Sequence, residues 1–183
     1  MPIQVNKRLI SVSDYHKMGE VGILSESGLE LIKGEIIHMS PIGSQHAAMV
    51  EKLKDILVFQ LHGKALVRSQ NPIILSDFTE PEPDICVVNF RDDYYSEKHP
   101  ESREVLLVIE VADTSLEYDR EVKLPLYAEA KIPELWIFNL QERYLEQFSS
   151  PENGKYSSHT ILKSGKVTYP DPEVSVDLDS LFS

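Results

Sequence analysis

The chain has 183 residues, 42% of them hydrophobic and 26% charged, which excludes a disordered or fibrous protein and suits one domain. Thirty acidic residues against eighteen basic ones leave a formal charge of −12, which excludes a protein holding nucleic acid by bulk electrostatics, though not an enzyme with a local basic groove. The single cysteine, Cys86, excludes an internal disulfide and a cysteine-built zinc site, and it fits a reducing compartment.

Lys7 and Arg8 have no apolar core behind them, so no secretory signal is read, and no apolar run approaches the ~18 residues that span a bilayer. A cytoplasmic, membrane-free protein is therefore expected. Ser11 opens a short helix that Gly19 should stop. Two apolar stretches flank Lys33-Gly34 and predict a tight hairpin over 29–39. Met49, Val50, Leu53, Ile56, Leu57 and Leu61 recur at spacings of three and four, which predicts an amphipathic helix over 46–62 with Ser44 as its cap. Residues 65–75 read as extended. Short apolar runs at 84–89, 105–111 and 134–139 read as core strands, and the uninterrupted 105–111 run is the pattern of a strand buried on both faces.

Residues 116–130 read as helical, but Pro125 must either bend that helix or mark its true start. Beyond residue 140, short strands at 144–148, 156–162 and 166–169, with turns at Asn153-Gly154 and Ser164-Gly165, predict a meander on the edge of the main sheet. The acidic stretch from Asp171 to Asp179 reads as solvated surface. No boundary splits the chain, so 1–183 is expected to form one domain with its core over about 29–140.

Charge in costly places marks the candidate chemistry. Asp84 opens one core strand and Glu110 closes another, and a carboxylate at the edge of an apolar run needs a partner. Two such acids aimed into one cleft make an oxygen site for Mg²⁺. Lys123, four residues after Asp119 on the next helix, is placed to stabilise charge on a phosphate. Plainer readings stand beside these: Asp84 as a turn cap, Glu110 paired with Arg120 or Lys123, Asp119 as a helix-start acid, Cys86, Trp136, Tyr127 and Tyr144 as packing, and Glu30 as structural. No serine-hydrolase elbow, phosphate loop, dinucleotide fingerprint or histidine pair with zinc spacing is present.

The order α-β-β-β-α-β resembles the restriction-endonuclease-like fold of the PD-(D/E)xK nucleases, an α/β (α+β) class with a mixed central sheet. More closely, the chain resembles the Uma-two family of endonucleases. The stretches that carry the likeness run from Glu30 to Glu35, Met39 to Pro41 with His46, Pro83-Asp84-Ile85, Ile109-Glu110-Val111 with Ser115, Asp119 to Lys123 with Tyr127, and Ile132 to Ile137. The resemblance implies Mg²⁺- or Mn²⁺-dependent phosphodiester hydrolysis, most simply of DNA, by a homodimer. It implies Asp84, Glu110 and the Val111 carbonyl as metal ligands and Lys123 as the catalytic lysine. Asp119 would hold a second ion or orient Lys123, Glu35 would act on the ion from farther out, and His46 would meet phosphate or carry a proton. One departure is visible: the lysine of that superfamily belongs two residues after Glu110, where this chain has Ala112. A binding or regulatory module that keeps the fold without turnover is the alternative.

Overall fold

A computed structural model describes residues 7–183; the first six, part of the stretch on which the absence of a signal rests, lie outside the described residues. Helix α1 (Val12–Glu20) starts where Ser11 Oγ accepts the Asp14 N–H at 3.1 Å. It runs through Gly19 and turns off at Gly22, whose φ of 77° takes the left-handed conformation. Strands β1 (Leu29–Ile32) and β2 (Glu35–His38) form the expected hairpin, with Ile32 opposite Glu35. Lys33 and Gly34 have φ of 49° and 78°, the two positive values that a two-residue primed turn needs. Position 34 must be glycine on a second count, because a Cβ there would lie 2.6 Å from Leu9 Cβ.

Helix α2 (Ser44–Leu61) buries Met49, Val50, Leu53, Leu57 and Leu61; Gly43, not Ser44, is its cap, with no side-chain bond. A six-stranded sheet follows in the order β3 (Ala65–Ser69), β4 (Ile85–Asn89), β5 (Val105–Ala112), β6 (Glu134–Asn139), β7 (Tyr144–Glu152) and β8 (Lys155–Leu162). Only β5 and β6 are parallel, joined by a helical crossover, so the sheet is mixed as expected. Strand β3 is shorter than the predicted 65–75: Gln70 turns at φ 52°, and residues 73–75 make only an isolated bridge from Ile74 to Glu101.

Period-two alternation sends Ile85, Val87, Leu107, Ile109, Val111, Trp136 and Phe138 toward α2, and Cys86, Val88, Val108, Ala112, Leu135 and Ile137 to the opposite face. The crossover has three parts: α3 (Leu116–Tyr118), a π-helical turn (Asp119–Lys123) and α4 (Leu124–Glu129). Pro125 lies in the first turn of α4, so the second sequence alternative holds. Lacking an N–H, it cannot close an α-helical bond onto Glu121, and the chain widens into the π-turn just before it.

Strands β7 and β8 extend the main sheet through the turn at Asn153 and Gly154. The next strand does not continue that meander. Strand β9 (Lys166–Pro170) leaves it and pairs with β10 (Glu173–Asp177) in a separate ribbon. The acidic stretch read as solvated surface is therefore half core: Val174 and Val176 alternate inward against the α2 side, followed by the short helix α5 (Leu178–Leu181). Gln60 of α2 bonds both the N–H and the C=O of Ser175, at 2.8 Å each, holding the ribbon in place. No helix among the described residues is long and apolar enough to cross a membrane.

Candidate active site

Strand alternation sets the site. Glu110 lies on β5 between Ile109 and Val111, so its side chain takes the face opposite α2, where it is buried. Asp84 precedes β4, one step beyond the last β4–β5 pair, Ile85 with Ile109, and so comes opposite Glu110. The Asp84 N–H donates to Glu110 Oε2 at 3.3 Å, and the Val111 N–H donates to Asp84 Oδ2 at 2.8 Å. In an extended strand the N–H and C=O of one residue point to the same edge, so the Val111 carbonyl faces the side of Asp84. His46, in the first turns of α2, places Nε2 3.0 Å from Asp84 Oδ2. Among the described residues no donor reaches Asp84 Oδ1.

The π-turn brings the lysine. Lys123 Nζ lies 3.2 Å from Glu110 Oε1 and 3.8 Å from Glu30 Oε2, and its side chain is only 8% exposed. Tyr127, one helical turn on, donates to Glu110 Oε1 at 2.6 Å. Asp119, at the start of the π-turn, is buried and accepts from Ser115 Oγ at 2.7 Å. Glu30 on β1 is fully buried; it accepts from Tyr118 Oη at 2.8 Å and from the Glu82 N–H at 3.3 Å.

Glu30 and Glu110 thus flank one ammonium group at 3.8 and 3.2 Å, and Asp84 and Asp119 act on it electrostatically from farther off. Burial pushes Glu110 up to about 8; Lys123 opposes this, and Asp119 and Asp84 add to it. Burial likewise raises Asp119 against the pull of Lys123. Burial alone would lower Lys123, but Glu110, Glu30, Asp119 and Asp84 together hold it above its ordinary value, so it stays charged. The hydrogen bond to Asp84 raises His46. The Tyr127 hydroxyl, buried beside Glu110, stays protonated and acts as a donor.

Of the residues singled out in the sequence, Asp84, Glu110, Lys123, Asp119, His46 and Val111 converge. Glu35 does not: the hairpin turn leaves it on the exposed side of β2, bound to Lys7 at 2.7 Å. Glu30 and Tyr127, given structural readings, are members of the cluster, and Tyr118 and Glu82 join it without having been singled out. Tyr127 had a usable signal, since it falls four residues after Lys123 and therefore on one helical face with it. Ala112, at the usual lysine position, is buried on the same face as Glu110, and the ammonium group arrives from the crossover instead.

The profile of a protein family described as "Uma2: Putative restriction endonuclease" matches residues 12–180. The chain belongs to the Uma2 family. Among solved structures it is similar to a protein from Anabaena variabilis described as "a putative nuclease belonging to DUF820". The two share 15% identity and superpose with a TM-score of 0.74 over 94% of this chain and 97% of that one, a likeness of fold. No curated protein matches the chain. The Uma2 match and the superposition give this chain the restriction-endonuclease-like fold and place it among the nuclease families.

Proposed function

We propose that this Uma2 chain is a divalent-metal-dependent endonuclease that hydrolyses phosphodiester bonds in DNA. In this reading 1–183 works as one domain in the cytoplasm, and two copies pair so that two sites address two strands. The outer edge of β8, unpaired among the described residues, is the surface offered to the second copy. The observation that carries the activity is the meeting of Asp84, Glu110 and Lys123, which are remote in sequence: Glu110 accepts from the Asp84 N–H at 3.3 Å and lies 3.2 Å from Lys123 Nζ, and Asp84 is within electrostatic reach of that ammonium group.

The donor set fits a hard cation. Four carboxyl groups share one lysine, and burying them all ionised costs several kcal/mol, so burial raises Glu110 and Asp119 toward their protonated forms; a bound cation would take the place of those protons. Asp84 Oδ1, Glu110 Oε2 and the Val111 carbonyl are all oxygen donors, the kind that Mg²⁺ and Mn²⁺ select. These three groups would hold the ion. When bound, it makes water more acidic and draws charge from the phosphoryl oxygens.

The chain's own groups do the rest. Lys123 neutralises charge that builds on the phosphate or positions the attacking water. Asp119, within electrostatic reach of Lys123, orients it. Tyr127 fixes Glu110 Oε1 and His46 fixes Asp84 Oδ2, which leaves Asp84 Oδ1 without a donor among the described residues and Glu110 Oε2 with a lone pair beyond the one that accepts the Asp84 N–H. His46, near the N-terminus of α2, is also placed to meet a phosphate or carry a proton. Glu35 has no part in this scheme.

Plasmid nicking with Mg²⁺ or Mn²⁺ tests the reading. Wild type should cleave, and Asp84→Ala should lose about a hundredfold or more. Equal residual cleavage by the two proteins contradicts it. The charge of −12 and Ala112 favour a second reading, a non-catalytic binding module on the same fold. Calorimetry showing no Mn²⁺ binding at millimolar metal supports that module.

A further inference from the structure

Beside the acidic pocket, three further ligating side chains from distant parts of the chain come together. His16 lies on α1, Glu80 sits in the segment that bridges to Leu31 of β1, and His99 precedes Pro100 ahead of β5. One ligand atom from each lies within 4.8 Å of the other two. Glu80 is buried, and both of its carboxylate oxygens face the same His16 nitrogen, Nε2, at 2.8 and 2.9 Å. One ring N–H cannot align with both oxygens, so the carboxylate keeps unused acceptor capacity. His99 packs edge-on to His16, with ring centroids 6.0 Å apart, and its Nδ1 is buried with no hydrogen-bond partner among the described residues. An orphaned buried nitrogen is costly and calls for an explanation.

Two imidazoles and one carboxylate are the donors of three-ligand Zn²⁺ sites, which keep a fourth position for water. Nitrogen donors of this kind disfavour Mg²⁺, which selects oxygen. We propose that His16, Glu80 and His99 form a binding site for a transition-metal ion of the Zn²⁺ class, distinct from the Asp84–Glu110 pocket, that fastens α1 to the segment leading into Asp84. That segment is short and stiff: Pro81 and Pro83 fix two of its φ angles, and the Glu82 N–H is tied to Glu30. Helix α1 is otherwise anchored there by the Val12 N–H on the Asp77 carbonyl at 2.8 Å and by the Tyr15 hydroxyl on the Leu29 carbonyl at 3.0 Å. An ion shared by residues 16, 80 and 99 would cross-link all three stretches in the folded state and in no other. The site is independent of the nuclease reading.

The test is calorimetric titration of the full chain with Zn²⁺ in excess Mg²⁺, which leaves the oxygen pocket occupied. One Zn²⁺ per chain should bind, with affinity reduced at least tenfold by His16→Ala and by His99→Ala and unchanged by Asp84→Asn. Zn²⁺ should also raise the melting temperature of wild type but not of the two histidine variants. A measurement on wild type alone guards against misfolded variants: of the six histidines, the ring resonances of His16 and His99 should shift on Zn²⁺ addition. Failure of Zn²⁺ to bind, shifts confined to other histidines, or loss of binding only in Asp84→Asn would overturn the proposal. Each of these results leaves the nicking assay free to succeed or fail on its own.

Discussion

Glu110 and Glu146 occupy one row of the sheet on either side of Ile137, and the same π-turn supplies a cation to each, yet their surroundings differ. Glu146 accepts from Arg120 Nε at 2.8 Å and meets His159 Nε2 at 2.9 Å, while Arg120 also bonds the Tyr144 hydroxyl at 3.0 Å. One carboxylate thus has two basic partners of its own. Glu110 shares its single lysine with Glu30, Asp84 and Asp119. The first arrangement is a closed network of one ion pair and its hydrogen bonds that holds the crossover against β7 and β8. The second gathers four carboxyl groups around one lysine, and burial there raises Glu110 and Asp119 toward their protonated forms. Buried charge alone does not separate structure from chemistry; the count of opposite charges around it does.

The largest expected effect is at the one ammonium group of the acidic pocket. Lys123→Met should cost the metal-free protein about 3–5 kcal/mol, since it leaves four carboxylates without their cation. Urea unfolding measures this, and Mn²⁺ should restore part of the loss. Next, the two glutamates should respond with different signs. Glu146→Gln should cost about 1–3 kcal/mol, less than a fully buried pair because Arg120 is 41% exposed. Glu110→Gln in metal-free protein at pH 8 should leave stability unchanged or raise it. Equal losses in both would erase the comparison.

The third expectation concerns pH. Glu110 has its ordinary value of 4.5 in the unfolded chain and about 8 in the folded one. Between those values the folded state holds a proton that the unfolded state has released, so metal-free stability is greatest below the lower value. It falls as pH rises through the window, by on the order of 1 kcal/mol per pH unit. Glu110→Gln should remove that slope, as denaturant melts across the window would show. The smallest effect is at Tyr127→Phe, which deletes one hydrogen bond to Glu110. It should cost about 1 kcal/mol, or roughly fivefold in Mn²⁺ affinity, with the fold intact.

The acidic pocket was legible where local pattern and chemistry agree. The apolar run of β5 interrupted by Glu110, the Pro83-Asp84 entry into β4, and the four-residue spacing of Asp119 and Lys123 each carry a signal that needs no long-range contact. Glu30 had no local signal: alternation in Leu29-Glu30-Leu31 reads as a polar residue facing solvent, and it is buried by distant segments, the one bridged to Leu31 through Glu80 and the crossover that brings Tyr118. Glu35 misled for the converse reason, since nothing in its neighbours shows that the hairpin turn directs it outward. The β9–β10 ribbon was hidden by its acids, although Val174 and Val176 already alternate with them. For Glu30 and the ribbon the missing information was a tertiary contact between segments far apart in the chain.

The most direct measurement is Mn²⁺ titration at pH 8 of wild type, Glu110→Gln and Glu146→Gln, followed by calorimetry or by the electron paramagnetic resonance of the free ion. The account predicts one oxygen-liganded Mn²⁺ per chain in wild type, retained in Glu146→Gln and weakened by tenfold or more in folded Glu110→Gln. Undiminished Mn²⁺ binding in Glu110→Gln, or the same loss in both variants, would contradict it.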